Sequence, residues 1–419
     1  MPAETISQNY RRYVLGLLLA VNLLNYIDRQ VLFAVFPLLK ADLNLSDTAL
    51  GFLGSAFMLS YMMLAPLFGW LGDHWSRVKL AASGLVVWSL ATALAGLAPG
   101  YRTLLAARAT VGVGEASFGT VSPGLIADYF PKERRGEILS WFYVAIPVGS
   151  ALGYLLGGIL GEKFGWHAAF LMVGLPGLAL ALPIALLRTP PRTPAASAHG
   201  APDSGTDLPA EGSGSYLDLF RNRSFVFNTL AMAAMTFAIG GLAQWIPSFL
   251  NRTHGLNVAK GNTLFGGITV LAGILGTLAG GWLGDRWQKK SPAGYLHVSG
   301  WGFLIGTPFA AWAILAPDLK SCLGAIFVAE FFLFLNTGPL NTVIINVTPP
   351  TMRAMAFAVN IFFIHALGDA FSPSILGWLS DLWNLRSALL ITPLAMALSG
   401  VLCFACGRFV VKDMARVES

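Results

Sequence analysis

Charge is what this sequence has least of. Lys, Arg, Asp and Glu together make 11% of its 419 residues, against about 25% in an ordinary soluble chain. A soluble protein of this size needs a charged surface, and there is not enough charge here to make one. Cysteine is nearly absent: Cys322, Cys403 and Cys406 are too few for a disulfide framework. Cys403 and Cys406 form a CxxC, but inside an apolar run with no further Cys or His nearby, which points to packing rather than redox or metal chemistry. Six scattered His residues and no glycine-rich phosphate loop offer no catalytic constellation. The expectation is a chain that is not an enzyme, with no cofactor, no metal and no nucleic-acid partner. A receptor is not expected either, for want of a sizeable polar domain. The first apolar run is too long for a cleavable signal and lacks a small-residue cleavage pattern.

Apolar residues, 55% of the chain, fill the space that charge leaves. Stretches of about 20 or more, long enough to cross a bilayer, recur from 13–38 through to 387–411, six before and six after a polar segment at 188–223. That segment is rich in Pro, Ala, Gly and Ser and reads as a flexible linker. Only its end, from Tyr216 to Phe220, is expected to form a short interfacial helix. The pattern predicts an all-α polytopic membrane protein with twelve transmembrane helices in two pseudo-symmetric bundles, residues 1–187 and 224–419. With the N-terminus inside, internal segments carry 18 Lys and Arg and external ones 7, so both termini are expected in the cytoplasm.

Internal repeats mark the same halving. GWLGDHW (69–75) returns as GWLGDRW (281–287), an offset of 212; further on the offset is 219, which sets Arg134 of PKERRG on Arg353 of PTMRAM. The repeated motif falls between the second and third spans of each half. Its glycines permit close helix approach, and an Asp at a helix end can receive a neighbouring helix N-terminus or a basic residue. Asp73, Arg77, Arg134, Asp285, Arg286 and Arg353 are therefore the candidates for a conformational latch. In this loop signature, and in the Arg108-x-x-x-Gly112 pattern of the fourth span, the sequence resembles the major facilitator superfamily.

Charges inside the spans do not repeat. Asp28 and Arg29 correspond to Gly240 and Gly241, while Arg108 and Glu115 correspond to Phe327 and Phe334. An ionisable group in the membrane is costly and by default functional, and the scaffold does not need these twice. At 1.5 Å per residue Arg29 lies roughly 15 Å, and Glu115 roughly 20 Å, from the outer face. An Arg29–Glu115 pair follows, with Asp28 turned toward Arg108 or the polar end of a substrate. His365 and Asp369, four apart on one helix face, form either a proton relay or a satisfied buried pair. Glu330, Asn336, Asn341 and Asn360 are further polar candidates. Trp245 and Pro247 read as an interfacial anchor more than a gate.

Several stretches carry a narrower likeness: NYIDRQVL (25–32), VGVGEASFGTVSPGLIADYFP (111–131), FYVAIPVGSALGYLLGG (142–158), TFAIGGLAQWIPSFLNR (236–252) and HALGDAFSPSILGWLSD (365–381). Together they resemble the Spinster family of lipid transporters, whose members are associated with phosphorylated sphingoid bases or lysophospholipids. The resemblance implies substrate or coupling roles for Asp28, Arg29, Glu115 and the His365–Asp369 stretch. The expectation is a monomeric, proton-coupled, alternating-access carrier of a lipid-like substrate in the inner membrane. A proton-coupled carrier of small organic anions and a drug exporter are the alternatives.

Overall fold

A computed structural model gives the fold and describes residues 7–130, 132–188, 216–349 and 352–418. In the first half α1 (Gln8–Ala34) opens on the Ser7 cap, and α2 (Phe36–Leu43), α3 (Asp47–His74), α4 (Arg77–Ala95), α5 (Tyr101–Tyr129) and α6 (Lys132–Ala185) follow. Ser46 and Ser76 cap α3 and α4 by accepting from Ala49 N and Lys79 N, satisfying backbone donors that a helix start leaves open. The second half holds α7 (Tyr216–Arg221), α8 (Arg223–His254), α9 (Val258–Gln288), α10 (Gly294–Leu315), α11 (Leu319–Leu335) and α12 (Thr337–Asn346). It closes with α13 (Arg353–Ile364), a π-helical turn (His365–Asp369), α14 (Ser372–Leu382), α15 (Leu385–Leu389) and α16 (Ile391–Glu418).

Among the described residues, ten helices are long and apolar enough to cross a membrane. One of them, Trp141–Ala185, is two rods joined where Gly165 takes a left-handed φ of 83°, a conformation glycine adopts at little cost. α5 has 29 residues but stands outside those ten. Its glycines, serines and charges dilute its apolarity. With these two adjustments the helices agree with the twelve expected.

The chain divides into two units, Met1–Asp203 with Leu256–Gly266 and Ser204–Gly255 with Gly267–Ser419. The start of α9 thus belongs with the first half, a division that the segment boundaries at 187 and 224 do not capture. In the first unit α1 and α4 pack on α6, and α3 and α4 on α5, around Val14, Leu18, Trp88, Phe118 and Phe142. In the second, α16 packs on α8 and α10, and α10 on α11, around Phe225, Phe303, Leu333, Met396 and Cys403. Cys403 and Cys406 are free and buried, in keeping with packing. Large apolar side chains such as Met63, Leu94, Leu186, Leu278 and Leu394 point outward, a surface that a bilayer covers and water does not. α7 is the expected short helix; its Leu219 is buried while Leu217 and Phe220 are exposed. The rest of the proposed linker, 189–215, lies outside the described residues.

Candidate functional site

Four charges from two helices meet inside the first unit. Asp28 and Arg29 sit on α1, Arg108 and Glu115 on α5 two turns apart. Arg29 Nε donates to Glu115 Oε2 at 2.6 Å. Arg108 Nη1 approaches Asp28 Oδ1 at 3.5 Å. The first pairing is the one expected from depth along the helices, and the second is one of the two alternatives open to Asp28. Glycine makes the approach possible: a Cβ on Gly112, four residues after Arg108, would collide with the backbone of Phe57 on α3.

Neighbouring residues that sequence reasoning passed over complete the cluster. The Thr92 hydroxyl on α4, fully buried, donates to Asp28 Oδ2. Asn25, one turn before Arg29, brings a buried amide beside Glu115. Three rings wall the Arg29 guanidinium, Tyr26 at 4.9 Å, Phe57 at 5.1 Å and Tyr61 at 5.2 Å, and Phe57 also faces Arg108 at 5.3 Å. Such faces attract cations. In isolation these residues look like ordinary helix content. Only Asn25 and Tyr26, four and three residues before Arg29, lay within reach of a helical-face argument. The four charged side chains differ in access: Arg29 is 18% exposed, Asp28 3%, and Arg108 and Glu115 0%. Arg108 makes no hydrogen bond of adequate geometry to any described residue through any of its three nitrogens.

The second unit is sparser. Glu330 on α11 is 8% exposed. Its Oε1 accepts from the Thr269 hydroxyl on α9 at 3.0 Å, and its Oε2 has no partner among the described residues. His365 Nδ1 lies 2.8 Å from Asp369 Oδ1 in the π-helical turn, both side chains partly accessible. There Gly368 leaves helical geometry (φ −107°, ψ −108°) and packs against Thr236, Ala233 and Phe237 of α8. A π-helical turn inside a helix is frequent at functional sites. Asn336 and Asn360 are buried, each with a carbonyl oxygen left without a partner. Asn341 only bonds back to Thr337 O, one turn earlier. Trp245 is fully buried and donates to Pro373 O at 3.1 Å, so the expected interfacial anchor is instead an internal helix-to-helix contact.

Of the latch candidates, Arg77 binds Asp128 at the end of α5, with Nη1 at 2.9 and 3.0 Å from its two carboxylate oxygens. The side chain of Asp73 lies outside the described residues. Asp285 accepts from the Tyr295 hydroxyl at 2.7 Å, and Arg286 lies over the Trp282 ring at 5.6 Å. The repeat alignment set Arg134 on Arg353, but the bond that Arg353 makes to Thr348 O, five residues back, is made in the first half by Arg135 to Phe130 O. The contact thus falls one residue off the alignment, and Arg134 is exposed. No group of His, Cys, Asp and Glu among the described residues is arranged to hold a metal ion.

Residues 18–373 match the Major Facilitator Superfamily model. Protein spinster homolog 1 of Xenopus tropicalis is 33% identical over 99% of this chain and 84% of its own length. The chain belongs to the Spinster family of that superfamily. The sphingosine-1-phosphate transporter SPNS2 of Mus musculus is 34% identical over 95% of this chain and 77% of its own. Among solved structures, a bacterial homologue of the human lysosomal transporter Spinster, crystallised inward-facing and unoccupied, superposes with a TM-score of 0.86. It is 25% identical over 97% of this chain and 99% of that one. A D-xylose–proton symporter shares the fold at a TM-score of 0.73, 18% identity, over 94% of this chain and 97% of its own. This Spinster-family chain is thus a multi-pass membrane transporter, not an enzyme.

Proposed function

We propose that this is a secondary active transporter that moves an amphipathic lipid, such as a lysophospholipid or phosphorylated sphingoid base, by alternating access coupled to protons. It works as a monomer in the inner membrane with both termini in the cytoplasm. The lipid-transport name of the mouse relative supports this reading. The observation that carries it is Arg29. It is the most accessible charge of its cluster, held by one carboxylate and walled by three aromatic rings. A phosphate offers a guanidinium a stronger, bidentate partner, and the rings offer apolar contact to the chain beyond it. A phosphate that takes Arg29 leaves Glu115, fully buried, without its counter-ion, and a carboxylate so stranded takes up a proton. Anion binding and protonation are then linked. Arg108 faces Asp28, which leaves few free cations for a small organic anion and disfavours that alternative.

Uptake of a labelled lysophospholipid into proteoliposomes, with and without an imposed pH gradient and with empty vesicles subtracted, tests the proposal. Gradient-stimulated, protein-dependent uptake is expected. Uptake indifferent to the gradient removes the proton coupling. Absence of lipid uptake together with uptake of small carboxylates replaces the lipid with the organic-anion reading.

A further inference from the structure

The proton-coupled reading leaves open where a proton resides in this conformation, and the buried charges of the two units answer differently. In the first unit the two carboxylates, Asp28 and Glu115, face two guanidiniums. That cluster balances without a proton. Glu330 in the second unit has no such match. It is buried, Thr269 gives it one hydroxyl bond, and its second oxygen has no partner. No cation lies within 4.0 Å of it among the described residues.

The elements packed on α11 bring no charge to the middle of the helix. On α8 the charged and titratable residues are Arg223, Arg252 and His254, all at its ends. On α9 they are Lys260 near its start and Asp285 and Arg286 near its finish. α10 has Tyr295 and His297 in its first turn, and α12 has none. α11 itself adds Lys320 and Cys322 at its beginning, more than two turns from Glu330. An ionised carboxylate buried without a counter-ion is among the costliest arrangements in a protein, and such a group neutralises itself instead.

We infer that Glu330 is a proton site of this transporter and is held as the neutral acid in this conformation, with Thr269 as its hydrogen-bond donor. The inference rests on the proton-coupled reading above and moves the resting proton from the first half of the chain to the second. The first-half carboxylates then serve substrate exchange at Arg29, while Glu330 stores the proton.

Infrared spectroscopy of the purified full-length protein in detergent, without substrate, provides the test. At neutral pH the wild type should show the carbonyl stretch of a neutral carboxylic acid. Glu330→Gln should lose that band, and Asp28→Asn and Glu115→Gln should keep it. Thr269→Val, which removes the one donor, should move the band to higher frequency. A wild-type spectrum without the band, or a band lost in Asp28→Asn or Glu115→Gln instead, overturns the assignment. In proteoliposomes Glu330→Gln should lose gradient-driven uptake of the lysophospholipid and retain exchange of internal for external label. Gradient-driven uptake equal to wild type in that variant also overturns it. Because the band needs no substrate, it decides Glu330 even if the lysophospholipid is not carried, so failure of the lipid reading and failure of this one are told apart.

Discussion

Asp28 and Glu115 each lie against an arginine, at 3.5 and 2.6 Å, whereas Glu330 in the other unit has a threonine hydroxyl at 3.0 Å and nothing more. The loops differ in the same sense. Arg77 grips a carboxylate in the first half; in the second, Asp285 receives only a tyrosine hydroxyl. The backbone contact of Arg135 nevertheless recurs at Arg353. What the duplicated sequence preserves is how helices are joined and capped. Asp28, Arg29, Arg108 and Glu115 form a balanced set in one copy, while in the other Glu330 stands deep in its helix without a counter-ion. A balanced cluster can exchange partners with an incoming ion, while a lone acid in an apolar wall has only a proton to exchange.

The strongest way to break this comparison is to unbalance the first cluster. Arg29→Met leaves Glu115 buried and unmatched, and removing one member of a buried ion pair costs about 3–5 kcal/mol. Thermal unfolding in detergent should therefore show a large loss of stability, together with loss of transport. The double variant Arg29→Met with Glu115→Leu should regain most of the stability, since replacing both partners by apolar groups is often neutral, and regain no transport. A double variant that transports normally would reduce the pair to scaffold. Asp28→Asn should follow closely, at about 3 kcal/mol, because it leaves the fully buried guanidinium of Arg108 without its ion contact. Glu330→Leu should behave in the opposite way, changing stability by no more than about 1 kcal/mol in either direction, because no counter-ion is stranded.

Much of this was legible in the residues. Twelve apolar runs, a polar divider and a repeated GWLGD loop lead to two helical bundles without any coordinates. Helical rise alone pairs Arg29 with Glu115, because two long helices running in opposite directions bring chosen depths together. Three kinds of feature were hidden for identifiable reasons. Thr92, Phe57 and Tyr61 belong to helices whose rotation about their own axes sequence does not determine, and nothing in their type marks them. Asp128 was overlooked because its partner, Arg77, is 51 residues away and the loop motif drew attention to Asp73. The Arg134–Arg353 match misses the shared contact by one residue because an alignment pairs positions, whereas the contact is an arginine on the carbonyl five residues before it.

Smaller effects sharpen the comparison at the loops. Arg77→Lys should keep the charge but lose the guanidinium that meets both oxygens of Asp128 and the carbonyl of Gly124. A loss of about 1 kcal/mol is expected, with slower uptake at unchanged half-saturation, because a latch governs cycling rather than binding. Tyr295→Phe should cost least. Its hydroxyl bonds Asp285 at an exposed position, where water can replace it, so the loss should not exceed about 0.5–1 kcal/mol. The ring stays in place, since it packs closely on Gly284, where an added Cβ would come within 2.7 Å of it. The substitution thus removes one hydrogen bond and little else. If the loop of the second half is also a latch, the maximal rate of uptake should change while the melting temperature hardly moves. An unchanged rate would confine the latch to the loop of the first half, and would make the second copy of the motif a packing device whose aspartate the mechanism does not use.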